Sequence, residues 1–144
     1  MEYKKMGDSI YIRMDKDDEM IDCIMNVCRS EGVKSATYVG IGGCKDAEIQ
    51  TFIPEKGEFR TDKYEGMLEL VSFIGNVISD EDGELYHHTH VAYSYFKDGE
   101  HGMIAGHLKS STVLYTAEIE LRPVKDGVIG RKLSPETGTG LWKF

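Results

Sequence analysis

Residues Leu85 to Leu108 read LYHHTHVAYSYFKDGEHGMIAGHL and hold all five histidines of this 144-residue chain. Two strand-like runs flank Asp98-Gly99, a dipeptide suited to a two-residue hairpin turn. Residues i and i+2 of a strand share a face. His88 and His90 therefore point one way and His87 the other. A two-residue turn sets His90 directly opposite His107, with His88 diagonal to it. Directly opposed Cβ atoms stand roughly 4.5–5.5 Å apart and diagonal ones about 7–8 Å. Three imidazoles can then converge on one ion. His101 shares the parity of His107 but lies too far along the strand, so His87 and His101 read as surface residues.

Three histidine nitrogens with one position left open are the donor set of a zinc site that activates water or acts as a Lewis acid. Closed structural zinc sites usually take four ligands, often thiolates, and no cysteine lies in this stretch. Imidazole also suits nickel, copper and iron, with zinc the first choice. The competing reading is a patch of polar sheet residues packed at a subunit interface.

Working outward, the chain reads as one α+β domain over residues 1–144, a mainly antiparallel twisted sheet with one principal helix packed on it. SIYIRM, from Ser9 to Met14, alternates as a strand. The acidic run Asp15 to Glu19 starts a helix over about 18–31, with one of its aspartates as N-cap and Gly32 as the stop. Strands are expected at Ala36 to Ile41, Ala47 to Ile53, Gly57 to Tyr64 and Met67 to Ile78, then at Tyr86 to Phe96, His101 to Leu108 and Thr112 to Leu121. Gly75 marks a bulge or a close approach of backbones. The glycines of Gly40-Ile41-Gly42-Gly43 read as a tight turn between strands, since no helical pattern follows as a phosphate loop requires. Ser134 to Gly138 reads as a turn.

Net charge is −8, and the 17 lysines and arginines are scattered. That counts against nucleic-acid binding, which needs a concentrated basic face. No apolar run reaches membrane-spanning length, and the N-terminus has no signal-peptide core. Three cysteines without a CxxC pair fit free thiols in the cytoplasm. Glu69 lies on an apolar strand. Facing inward it is a fourth ligand, a general acid or base, or the partner of an arginine. Alternating with Leu68 and Leu70, it equally reads as solvent-facing.

The pattern H-T-H-V at His88 to Val91 followed by A-G-H-L at Ala105 to Leu108 resembles the plant-and-prokaryote conserved (PPC) domain, whose signature is H-x-H followed by G-G-H-L. Ala105 replaces the first glycine, and the hairpin is about three residues longer than that pattern. Four further blocks agree in order: Ile10 to Met20 with Arg13, YVGIGG at Tyr38 to Gly43, ELVSFIGN at Glu69 to Asn76, and RKLSPETG at Arg131 to Gly138. The resemblance implies a compact α+β fold, a homotrimer, and Arg13 and Arg131 as candidate anion-binding residues. Plant members join this domain to AT-hooks, and free-standing prokaryotic members carry a DNA-binding label by that association. No R-G-R-P hook is present here. The fold is also similar to that of acetolactate decarboxylase, a zinc enzyme with an H-x-H plus distant histidine set. The expectation is a cytoplasmic homotrimer with a divalent metal, zinc first, at His88, His90 and His107. It binds a small anionic ligand or runs a zinc-dependent reaction, with Glu69 as candidate catalytic residue. The alternatives are a DNA-binding regulator and an assembly module without chemistry.

Overall fold

The β-hairpin that organises the chain forms as its sequence dictates. Asp98 and Gly99 take φ of 54° and 86°, the positive pair that a type I′ turn demands at both central residues. The strands they join are β5 (Leu85–Lys97) and β6 (Glu100–Pro123), paired from Lys97↔Glu100 to His90↔His107. The other elements of this computed structural model are β1 (Glu2–Met6), β2 (Ser9–Asp15), α1 (Met20–Ser30), β3 (Ala36–Ile53), β4 (Glu58–Ser79), β7 (Gly130–Leu133) and β8 (Gly140–Lys143). Residues 1–136 and 138–144 are described, so Thr137 of the expected turn lies outside the described residues.

The architecture is a mostly antiparallel sheet with one short helix, as the composition of strands and turns implied. β3 pairs with β4 and with β6, and β5 also pairs with β4 and β6. The four strands therefore form a closed circuit with an inner and an outer face. β2 adds to β6 and β1 to β2. The β7–β8 hairpin joins β4 through one parallel pairing, Ser79↔Gly130. Tyr38, Phe73, Tyr93 and Ile119 fill the inner side and are almost fully buried with Ile10, Met14 and Leu121. Onto this core α1 lays Met20, Ile24, Val27 and Cys28, all buried.

Between Ala36 and Pro123, fewer and longer strands form than the sequence suggested. Ala36 to Ile53 is one strand rather than two. A Cβ on Gly42 would stand 2.7 Å from Ala117 Cα and from Thr116 O, and one on Gly40 would stand 2.7 Å from Glu118 O. The glycines thus admit the backbone of β6, and the ladder absorbs the bend through register shifts at Gly40/Gly42 and Cys44/Asp46. The expected tight turn at Gly40 to Gly43 is corrected to a bulged strand. Glu58 to Ser79 and Glu100 to Pro123 run through in the same way.

The helix cap is also corrected. Glu19, not an aspartate, is the N-cap, its Oε2 accepting from Asp22 N–H at 2.6 Å. Its Oε1 accepts from Ser111 N–H at 3.0 Å, so one carboxylate caps the helix and ties it to β6. Asp18 instead receives the Asp15 N–H and the N-terminal amine. The C-terminus closes as expected: Gly32 has φ of 64°, Val33 N–H donates to Cys28 O at 2.8 Å, and Gly32 N–H to Arg29 O at 3.3 Å. That pair of bonds is a Schellman motif. No helix among the described residues is long and apolar enough to cross a membrane.

Candidate metal centre

His90 and His107 face each other across β5–β6, and His88 lies two residues along the same strand. Their rings close on one another. His88 Nε2 is 3.2 Å from His107 Nδ1 and 3.2 Å from His90 Nε2. The His90 and His107 ring centres are 4.3 Å apart. Among the described residues these three form a group whose donor atoms all lie within 4.8 Å of one another.

The spacing suits an ion. Ligands about 2.05 Å from a tetrahedral zinc stand roughly 3.3 Å from each other. His88 Nε2 also faces two imidazole nitrogens at once, and the one proton it can carry would satisfy only one of them. A cation at the centre satisfies all three. The pKa values of His88 and His107 are lowered, first by desolvation and then by the neighbouring histidines. Both are therefore held in the neutral form that metals bind. Asn76, directly opposite His88, presents a buried Oδ1 with no hydrogen-bond partner among the described residues. Metal-bound imidazoles usually give their other N–H to such an acceptor.

Phe59 sets the edge of its ring against His107, with centres 5.4 Å apart. Beside the trio lies a cavity of about 470 Å³, lined by His87, His88, His107, Phe59, Lys109 and Arg131 among others. It opens where β6 leaves β5 after His107 to pair with β3.

The other candidates fall as follows. Glu69 is exposed between buried Leu68 and Leu70, opposite Gly43 and Ser94, and the histidine group does not include it. The inward-facing alternative is thereby corrected. Arg13 is engaged by Glu2 at 3.0 Å and Asp15 at 2.9 Å, and it lines a different cavity that none of the histidines borders. Arg131 does reach the histidine cavity, its guanidinium 4.3 Å from the centre of the Tyr86 ring. His101 is exposed and packs on Phe96 at 4.9 Å. His87 is not a surface residue. It is half-buried, with Nδ1 3.0 Å from Thr89 Oγ1. Burial, then the charge of His88, lowers its pKa.

Residues 1–125 match the family model of the Plants and Prokaryotes Conserved (PCC) domain. The chain belongs to this family. Among solved structures, a plant- and prokaryote-conserved (PPC) protein from Pyrococcus horikoshii is 33% identical, with 99% of this chain and 95% of that one covered at a TM-score of 0.83. A metal-containing protein from Archaeoglobus fulgidus is 28% identical, covered at 100% and 99%, with a TM-score of 0.82. A candidate DNA-binding protein from Bacteroides thetaiotaomicron is 22% identical, covered at 99% and 96%, with a TM-score of 0.89. At that identity the likeness shows the PPC fold alone. Comparison with curated proteins gives no match.

Proposed function

We propose that this PPC protein holds a divalent metal ion, zinc first, at His88, His90 and His107, and offers the open coordination position to a small anionic ligand. The observation that carries the reading is the convergence of three imidazole nitrogens with 3.2 Å contacts on His88 Nε2. The metal-containing relative from Archaeoglobus fulgidus and the resemblance to acetolactate decarboxylase support a centre of this kind. Neither carries a reaction with it. A bound zinc would supply a Lewis acid or an activated water at the open position. The chain's own contribution is to hold His88 and His107 neutral and the cavity beside them polar on one side. Protein purified without a histidine tag should hold about one equivalent of metal per chain, or take it up on zinc titration. A trace amount that His90→Ala leaves unchanged would sink the reading.

The reading includes a homotrimer in the cytoplasm. Val39, Ile41, Val71 and Ile74 are 50–58% exposed, and exposed apolar patches of this kind mark interaction surfaces. Light scattering should return three times the 16.2 kDa chain mass, and a monomer's mass would remove the trimer. All three cysteines are free and buried, in keeping with a reducing compartment. Direct DNA binding is the weaker reading. The net charge of −8 opposes it, and Arg13, Arg60 and Arg122 are each committed to a carboxylate.

A further inference from the structure

The histidine cavity has a second polar wall, built from two residues that the metal does not use. One is Arg131 on β7. Its guanidinium stacks on Tyr86, and from another side Gly140 presents bare backbone, where a Cβ would stand 2.7 Å from Arg131 Nε. The fork is held in place by packing. No carboxylate among the described residues pairs with it, although the chain carries 25 acidic residues and three other arginines each find one. An immobilised guanidinium lining a cavity without an acidic partner is suited to a carboxylate or phosphate, which it binds through two parallel N–H bonds.

The other residue is His87, and a chain of hydroxyls sets which nitrogen carries its proton. The Tyr38 hydroxyl is buried and lies 2.5 Å from Thr89 Oγ1, its side-chain partner. A buried phenol proton is donated to a partner, so Thr89 Oγ1 accepts it. Thr89 then has its own proton for His87 Nδ1, 3.0 Å away. Nδ1 is thereby an acceptor and the ring proton sits on Nε2, leaving an N–H donor on a ring that lines the cavity.

We propose that Arg131 and the Nε2–H of His87 form an oxyanion subsite. It takes the carboxylate or phosphate head of a small organic ligand, while a second donor of that ligand reaches the metal. Phe59, Ile78 and Leu108 line the same cavity and give the remainder of the ligand an apolar bed. The 470 Å³ volume falls in the range of small-molecule sites. Only the metal contact rests on the reading of the previous subsection; the subsite stands on its own residues.

The protein carries its own reporter. Trp142, its one tryptophan, is directly opposite Arg131 in the β7–β8 ladder. Zinc-loaded and chelator-treated protein is titrated with inorganic phosphate and with benzoate while Trp142 emission is followed, and the half-change concentration is read. At least one probe should saturate, and the better probe identifies the head group as phosphate or carboxylate. Arg131→Lys keeps the charge but loses the fork, and should weaken binding roughly 10-fold or more. His87→Gln, on the face of β5 opposite His88 and His90, should weaken it about 10-fold, and metal content measured on the same variant should stay at the parent value. Tighter binding in zinc-loaded protein supports the bridging ligand. Equal binding with and without zinc keeps the subsite and overturns the bridge to the metal. Absence of saturation by either probe, or half-change concentrations untouched by both substitutions, overturns the subsite even if zinc binds at the three histidines.

Discussion

Replacing His90 with alanine should weaken zinc binding by more than about 100-fold, since loss of a supporting partner alone typically costs 10–100-fold. His90 joins the group on both sides: its Nε2 is 3.2 Å from His88 Nε2, and its ring centre is 4.3 Å from that of His107. Its removal leaves two donors and a gap on the exposed side. His101→Ala is the matched control, because that ring packs on Phe96 outside the group, and it should leave zinc affinity unchanged. Competition against a chelating dye measures both. Acid gives an independent reading on metal-free protein. His88 and His107 have lowered pKa values, from burial first and from His90 among the neighbouring charges. The unfolded chain takes up these protons near the ordinary histidine value of about 6.5, and the folded chain takes them up only at lower pH. Stability is therefore complete above about pH 6.5 and falls as the pH drops through that value toward the folded pKa values. The urea midpoint should drop between about pH 7.5 and pH 5. In His90→Ala the drop should be smaller, because one source of like charge is gone. An unchanged midpoint in the parent protein would show that the three imidazoles do not crowd one another.

The site was legible because its register depends on two local facts. Asp98-Gly99 has the residue types of a type I′ turn, and side chains alternate along a strand. Together they select His88, His90 and His107 without knowledge of the rest of the sheet. His87 was legible in direction but not in surroundings. Its parity does send it to the opposite face, as the sequence implied. That face is the inner side of a closed four-strand circuit rather than a solvated surface, and closure depends on β3 reaching both β4 and β6. Periodicity within single segments carries no trace of such long-range pairing. Closure also explains the fused strands. A glycine that admits a neighbouring backbone and a glycine that turns the chain look alike in sequence, and at Gly40 and Gly42 only the approach of β6 distinguishes them. Glu19 is a similar case. Aspartate is the commoner cap, but the longer glutamate side chain also reaches Ser111 N–H on β6.

Gly75→Ala should be severely destabilising. Gly75 stands between Tyr38 on β3 and Thr89 on β5 in the two ladders. A Cβ there would lie 2.4 Å from the Tyr38 hydroxyl, 2.5 Å from its Cζ and 2.7 Å from His88 O. Neither neighbour can yield at low cost. Tyr38 is about 1% exposed and fixed by its bond to Thr89, and His88 O belongs to the backbone that carries the His88 imidazole. Overpacking of a tight core typically costs 1–3 kcal/mol, and backbone displacement raises that. A loss of about 3 kcal/mol or more in urea unfolding is expected. Gly43→Ala provides the contrast. Its Cβ would meet only Met67 Cε at 3.3 Å and a Tyr115 ring carbon at 3.5 Å. Met67 is flexible and partly exposed, so the change should stay within about 0.5 kcal/mol. The two substitutions also separate stability from function. Any folded Gly75→Ala protein must move His88 away from His107 or push Tyr38 off Thr89, so its zinc or anion affinity should fall as well. Gly43→Ala should leave both affinities intact. Parent-like zinc and anion binding in Gly75→Ala would show that β5 does not transmit the packing of Tyr38 to the three histidines.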